Sequence, residues 1–201
     1  MNTSIQFFDT QFQKQAQAGD FQLNPFELAA LPHLQGRVLE FGCGMGNLAF
    51  AAAHKGCSVL ALDASPAAIA HIRQRAAVER LPVQAALADL ADYPLEAEFD
   101  TVVSIGLLMF FDCPTAFRTL EKLKARVRKG GVAVINVLVE GTTYLDMFDG
   151  DHHCLFAPGE LASRFAGWRL LSSEFSDFAA PGGRTKAFAT VIAQKPANVD
   201  P

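Results

Sequence analysis

The chain has 201 residues, 50% hydrophobic and 19% charged, which is ample apolar side chain for one compact α/β domain and excludes a disordered or fibrous protein. Its 17 basic and 21 acidic residues leave a formal charge of -4, without the basic footprint that phosphate backbones demand, so nucleic acid is not an expected partner. The aromatic inventory of 17 Phe, 2 Tyr and 1 Trp implies large buried rings with no polar handle, in a core or around an apolar pocket.

In chain order, residues 2–18 are Gln-rich with Ile5, Phe8 and Phe12 at helical spacing, and Gly19 and Asp20 end the pattern. Asn24 and Pro25 start a short helix through Leu31. Val38–Phe41 reads as a strand, followed by a Gly-rich turn and an Ala-rich helix from Asn47 to His54. Ser58–Leu62 is a second strand ending at Asp63, and Ser65 with Pro66 opens a helix to about Glu79. Val83–Leu87 is a third strand ending at Asp89, and Asp100–Ser104 a fourth. Pro114–Val127 is an amphipathic helix that Gly130 and Gly131 stop, before a β-branched strand from Val132 to Val139. Pro158 and Gly159 start a short helix to Phe165. Two strand-like runs follow, Arg169–Phe175 and Lys186–Gln194, separated by residues 179–183. Strand and helix alternating in this way predict a doubly wound, mostly parallel α/β sheet with an antiparallel hairpin at one edge.

No linker or repeat interrupts the chain. The expected organisation is an N-terminal helical lid over residues 1–35, a ligand-binding domain over 36–195 and a loose tail over 196–201. The apolar run Val102–Phe111 is about half the ~20 residues that cross a bilayer. The first residues lack a basic patch leading into an apolar stretch, so no signal peptide and no membrane association are expected. Cys43, Cys57, Cys113 and Cys154 form no CxxC pair, so a reduced cytoplasmic protein is expected, with each cysteine a small packing residue.

Glu40, Phe41, Gly42, Cys43, Gly44, Met45 and Gly46 lie between a strand and a helix. Glycines there permit a tight turn and close backbone approach by a ligand. The spacing is G-x-G-x-G, with Asn47 where a dinucleotide site would place its third glycine. Glu40 would repel a pyrophosphate but hold a cationic amino group, so the implied ligand is a nucleoside with an amino-acid arm. Asp63 closes the second strand, where its two oxygens suit a ribose diol. Asp89, in Ala88-Asp89-Leu90, can accept from an exocyclic adenine amine. Ser104 and Ile105 end the fourth strand, below the expected reactive centre. Open α/β sheets bind ligands at these carboxyl ends.

These residues, with Phe99 and Asp100 and the run Val127–Gly131, resemble the class I S-adenosylmethionine-dependent methyltransferases over roughly residues 30–195. The segments Leu108–Phe111, Phe156–Leu161 and Phe188–Ala193 are further similar to the tellurite-resistance branch. The chain departs from that branch near the final hairpin, where it has Glu174–Phe178 and only Arg184 in place of a His and an Arg. The resemblance implies a seven-stranded Rossmann-like sheet, S-adenosyl-L-methionine as cofactor and methyl transfer to a small molecule. It implies cofactor contacts at Glu40, Phe41, Gly42, Cys43, Gly44, Gly46, Asn47, Leu48, Asp63, Ala64, Ala88, Asp89, Leu90, Ser104 and Ile105.

Phe8, Met109, His153 and Arg184 are the expected substrate contacts. No metal is expected, since His152 and His153 point opposite ways on an extended chain without a second ligand pair. The catalytic residues and the oligomeric state stay open. If the acceptor needs a general base, His153 is the first choice. Phe7, Phe8, Phe12, Phe21 and Phe26 in the N-terminal helices, with Phe110, Phe111, Phe148 and Phe156 after strand ends, are expected to supply an apolar lid and wall. The alternatives are a non-catalytic cofactor-binding module and, against the missing glycine and Glu40, an NAD-dependent oxidoreductase.

Overall fold

The computed structural model describes residues 3–19, 21–150 and 152–197. Its strands are β1 (Arg37–Phe41), β2 (Ser58–Asp63), β3 (Val83–Leu87), β4 (Phe99–Ile105), β5 (Val127–Leu138), β6 (Arg169–Ala180) and β7 (Arg184–Gln194). They form one sheet in the order β3-β2-β1-β4-β5-β7-β6. The first five pair in parallel, and β7 joins β5 and β6 antiparallel. This is the expected doubly wound, mostly parallel seven-stranded sheet with its antiparallel edge hairpin.

The helices are α1 (Thr3–Ala18), α2 (Pro25–Ala30), α3 (Asn47–His54), α4 (Pro66–Glu79), α5 (Cys113–Ala125) and α6 (Glu160–Ser163). Local side-chain caps account for three of their starts. Asn24 Oδ1 accepts from the N–H groups of Phe26 and Glu27, and Glu27 Oε2 accepts from Asn24 N, a reciprocal capping box. Ser65 Oγ accepts from Ala68 N to cap α4, and Asp112 Oδ1 accepts from Thr115 N to cap α5.

Period-2 alternation divides the sheet between two cores. Val38, Val59, Ala61 and Val103 face α3 and α4, among Leu48, Phe50, Ile69 and Ile72. Leu39, Phe41, Leu62 and Val102 face the opposite layer, among Leu120, Leu123, Phe156 and Phe165.

The α5–β5 junction and the final hairpin differ most from the sequence expectation. α5 ends at Ala125 and β5 begins at Val127, because Val127 pairs with Phe99 and Gly130–Gly131 exchange backbone bonds with Lys195. The two glycines therefore lie within a strand and do not stop the helix. The final hairpin extends to Ala180 and Arg184, its polar edge residues having read as loop. The side chains of Ile5 and Phe7 and the tail beyond residue 197 lie outside what is described.

The reading of Cys113 and Cys154 as separate reduced side chains is corrected: they form a disulfide with Cα atoms 4.8 Å apart. A separation of 41 residues hides the pair in the sequence. The chain after β5 returns beneath the start of α5, where Cys154 N donates to Met109 O at 3.0 Å. Cys43 and Cys57 are free and buried. Among the described residues, no helix is long and apolar enough to cross a membrane.

Thiol titration of the denatured, unreduced protein is expected to find two of the four cysteines, and all four after reduction. Replacing both Cys113 and Cys154 by Ser is expected to lower stability by about 4 kcal/mol, from the loop-closure entropy of a bridge this long. The urea midpoint under non-reducing conditions measures it.

Candidate functional site

β1 lies between β2 and β4, so the strand order reverses there and the connections leave β1 and β4 in opposite directions. A crevice opens outside the carboxyl ends at such a point. It holds a cleft of about 910 Å³, within the ~300–1,000 Å³ usual for small-molecule sites. Glu40 and the glycine loop line it from β1, Asp63 from β2, Asp89 and Leu90 from beyond β3, and Ile105 to Leu107 from β4. α1 covers one side with Phe8 and Phe12, and Phe110 and Phe111 stand across from them. The Phe8 and Phe110 rings meet edge-on at 5.1 Å.

The glycine loop is tightly fitted. Gly42 has φ +82° and a Cβ there would lie 2.9 Å from Leu107, while Gly44 has φ +49° and its Cβ would lie 3.2 Å from the Phe12 ring. Both positions thus need a glycine, for conformation and for space. Asp63 holds the loop: its Oδ2 accepts from Gly44 N at 2.8 Å and its Oδ1 from Ser65 N at 2.9 Å. Ser65 Oγ donates to Asp9 Oδ1 at 2.5 Å, and Ala67 N donates to the same oxygen at 3.3 Å. One carboxylate at the end of β2 is thereby connected to the loop after β1, the start of α4 and α1.

Glu40 is 6% exposed, yet its Oε2 has no hydrogen-bond partner. Burial pushes its carboxyl well up, and the neighbouring Glu27 and Asp63 add to the shift. Asp63 and Glu27 are raised too, chiefly by burial, with backbone donors opposing. Burial, with Glu40 and Asp63 adding to it, holds the Cys43 thiol neutral, which suits a packing residue and not a nucleophile.

The structure brings ten of the expected cofactor residues to the cleft: Glu40, Gly42, Cys43, Gly44, Asn47, Asp63, Ala64, Asp89, Leu90 and Ile105. Five stand behind it. Phe41 alternates onto the opposite face with Leu39, and Leu48 lies in the core under α3. Gly46 is buried beside Ile72. Ala88 is buried, its N–H joined to Asp63 O, and Ser104 is wholly buried with an unpartnered Oγ. Asp89 Oδ1 also accepts from Ala91 N, so part of that carboxylate serves a turn.

Of the expected substrate residues, Phe8 lines the cleft and the other three do not. Met109 is buried with Leu138 and Met147. His153 stacks on Phe148 at 4.6 Å, one ring behind Phe110. Arg184 is engaged by Asp146 through two bonds of 2.5 and 2.8 Å and lies over the Tyr144 ring. Among the other expected lid and wall rings, Phe21 stacks on His71, Phe26 packs on Phe178 and Phe188, and Phe156 packs on Phe117. Sequence reasoning missed Lys14, Asn24, Glu27 and Leu107 in the lining. Asn24 was legible only as a helix start and Glu27 carried no signal of its own, since nothing local says which surface a short helix will cover.

An orphaned buried carboxylate oxygen, a backbone cradle that a Cβ would fill and a diol-sized acceptor at Asp63 together fit a cationic nucleoside with an amino-acid arm. Residues 38–131 match the family described as a methyltransferase domain. By sequence, the chain is 29% identical over 144 residues to hemagglutinin 1 of Eikenella corrodens, covering 69% of this chain and 45% of that protein. It is 32% identical over 113 residues to magnesium-protoporphyrin O-methyltransferase of Rhodobacter capsulatus, covering 56% and 49%. The chain thus spans about half the length of these curated relatives. Its fold is similar to that of TehB from Haemophilus influenzae, with a TM-score of 0.78 and 20% identity over 90% of this chain and 65% of the other. Other chains of this fold were crystallised with S-adenosylhomocysteine.

A raised carboxyl is protonated more readily in the folded than in the unfolded chain, so it favours folding at acid pH, and that benefit is lost as the pH rises through the folded value. Glu40→Gln is accordingly expected to match wild type in urea midpoint at acid pH and to exceed it increasingly toward neutral pH. A difference that shrinks with rising pH contradicts the assignment.

Proposed function

We propose that this chain, residues 38–131 of which match a methyltransferase domain, is a class I S-adenosylmethionine-dependent methyltransferase that transfers a methyl group to a small, weakly polar acceptor. S-adenosylmethionine is the cofactor of that class and supplies, when bound, an activated methyl on a sulfonium that an aligned nucleophile displaces in line. The observation that carries the reading is Glu40: a buried carboxylate with an unpartnered oxygen beside a glycine turn suits an ammonium and repels a pyrophosphate.

In this reading Glu40 accepts from the amino group of the amino-acid arm, and Gly42 to Gly44 let the backbone approach that arm. Asp63 retains acceptor capacity beyond its two backbone donors for the ribose hydroxyls. Asp89, with Leu90 beside it, takes the adenine. Residues 1–35 serve as the cover of the 36–195 domain, with Phe8 and Phe12 excluding water from the reacting centre. Phe rings also suit a sulfonium through their π faces. The wall formed by Phe8, Leu107, Phe110 and Phe111 supplies carbon and no titratable side chain. That favours an acceptor that ionises by itself, a thiolate or a chalcogen oxyanion, over a hydroxyl or an ammonium.

Calorimetry with S-adenosylmethionine, S-adenosylhomocysteine and NAD is expected to show binding of the first two only. Asp63→Ala is expected to weaken both by about ten- to a hundredfold, the scale of hydrogen bonds to a charged group. Binding of NAD alone, or unchanged affinity in the variant, would overturn the assignment. A radiolabelled methyl screen is expected to favour thiol and chalcogen acceptors. Cofactor binding with every acceptor class left unmodified would support a non-catalytic binding module instead.

A further inference from the structure

Glu27 is the acid in the cleft that the sequence pattern leaves unexplained. It sits at the third position of α2, outside the parallel-sheet unit, and lines the same cleft as Glu40. Its Oε2 is occupied by Asn24 N at 2.8 Å in the capping box. Like Asp63, it is near enough to add to the upward push on the Glu40 carboxyl. Two acidic side chains from separate elements thus line the same cleft, and one of them, Glu40, keeps an unpartnered oxygen in a site only 6% exposed.

Such an arrangement costs stability in the free protein unless a cation joins it. The charged groups that face the pair are Asp63 at the end of β2, Asp89 beyond β3 and Lys14 on α1, with Asp9 of α1 behind Asp63. Among the described lining residues that makes four carboxylates, Glu27, Glu40, Asp63 and Asp89, against the single basic side chain of Lys14. The balance suits a ligand that brings its own positive charge.

We propose that Glu27 and Glu40 together clamp the ammonium group of the ligand, so that α2 contributes a specificity-determining carboxylate from outside the methyltransferase domain. The proposal rests on the reading of the cleft as an S-adenosylmethionine site. A compact ammonium offers three donors, enough for a carboxylate on either side. Because the same Glu27 side chain closes the capping box, ligand binding also fastens α2 over the cleft.

The capping box accepts Gln as well as Glu, so Glu27→Gln removes the charge and keeps the cap, whereas Glu27→Ala removes both. Calorimetry compares S-adenosylhomocysteine, which carries the ammonium, with methylthioadenosine, a thioether nucleoside without the amino-acid arm. Glu27→Gln is expected to weaken S-adenosylhomocysteine about tenfold, the scale of one charge-assisted contact, and to leave methylthioadenosine unchanged. The ligand-free variant is expected to melt at or above the wild-type temperature, because a like-charge pair has been relieved. Unchanged affinity for S-adenosylhomocysteine, or equal losses for both ligands with a lower melting temperature, would overturn the clamp and leave Glu27 only a cap. A wild type that binds neither ligand removes the cofactor reading itself, and the clamp with it.

Discussion

The architecture of the site depends on one carboxylate. Asp63 ends β2, and its two oxygens accept from Gly44 in the loop after β1 and from Ser65 at the start of α4. Ser65 passes the connection to Asp9 of α1, which also accepts from Ala67. A single chain of hydrogen bonds therefore sets the height of the glycine loop, the origin of α4 and the position of the helix that carries Phe8 and Phe12. Removing Asp63 would leave two backbone donors without their acceptor in a half-buried position, a cost comparable to that of a lost hydrogen bond for each.

The cleft has two chemically distinct ends. One gathers Glu27, Glu40 and Asp63 around the glycine loop, and burial keeps their carboxyls harder to ionise than usual. The other is carbon: Phe8, Phe110 and Phe111, with Phe148 and His153 stacked in sequence behind Phe110. A ligand must satisfy both, with a cation toward the acids and a weakly polar group toward the rings. The Phe surplus is thus partly explained by the cleft, while Phe41, Phe50, Phe99, Phe156 and Phe165 serve the cores.

The Cys113–Cys154 bridge lies just behind the aromatic end. It joins the start of α5 to the segment after β5, and Cys154 also bonds to Met109 in the turn that presents Phe110. Two segments distant in sequence are thereby held as one wall. His153, adjacent to the bridge, is held against Phe148 and Gly150 O and so kept out of the cleft.

By itself the sequence determined the order of strands and helices, because period-2 and 3.6 apolar patterns and caps such as Ser65-Pro66 are local signals. It also determined the acids and glycines at the strand ends, since a parallel sheet puts every strand's carboxyl end on one side. Which neighbours those ends acquire was decided only by the tertiary structure. Phe41 and Glu40 are adjacent in sequence, yet the pleat sends one to the core and the other to the cleft. Glu27 gave no signal and Cys113 read as a packing residue, because their partners Glu40 and Cys154 lie 13 and 41 residues away. Long-range pairing of this kind leaves no periodic trace; it depends on how the layers pack once the sheet has formed.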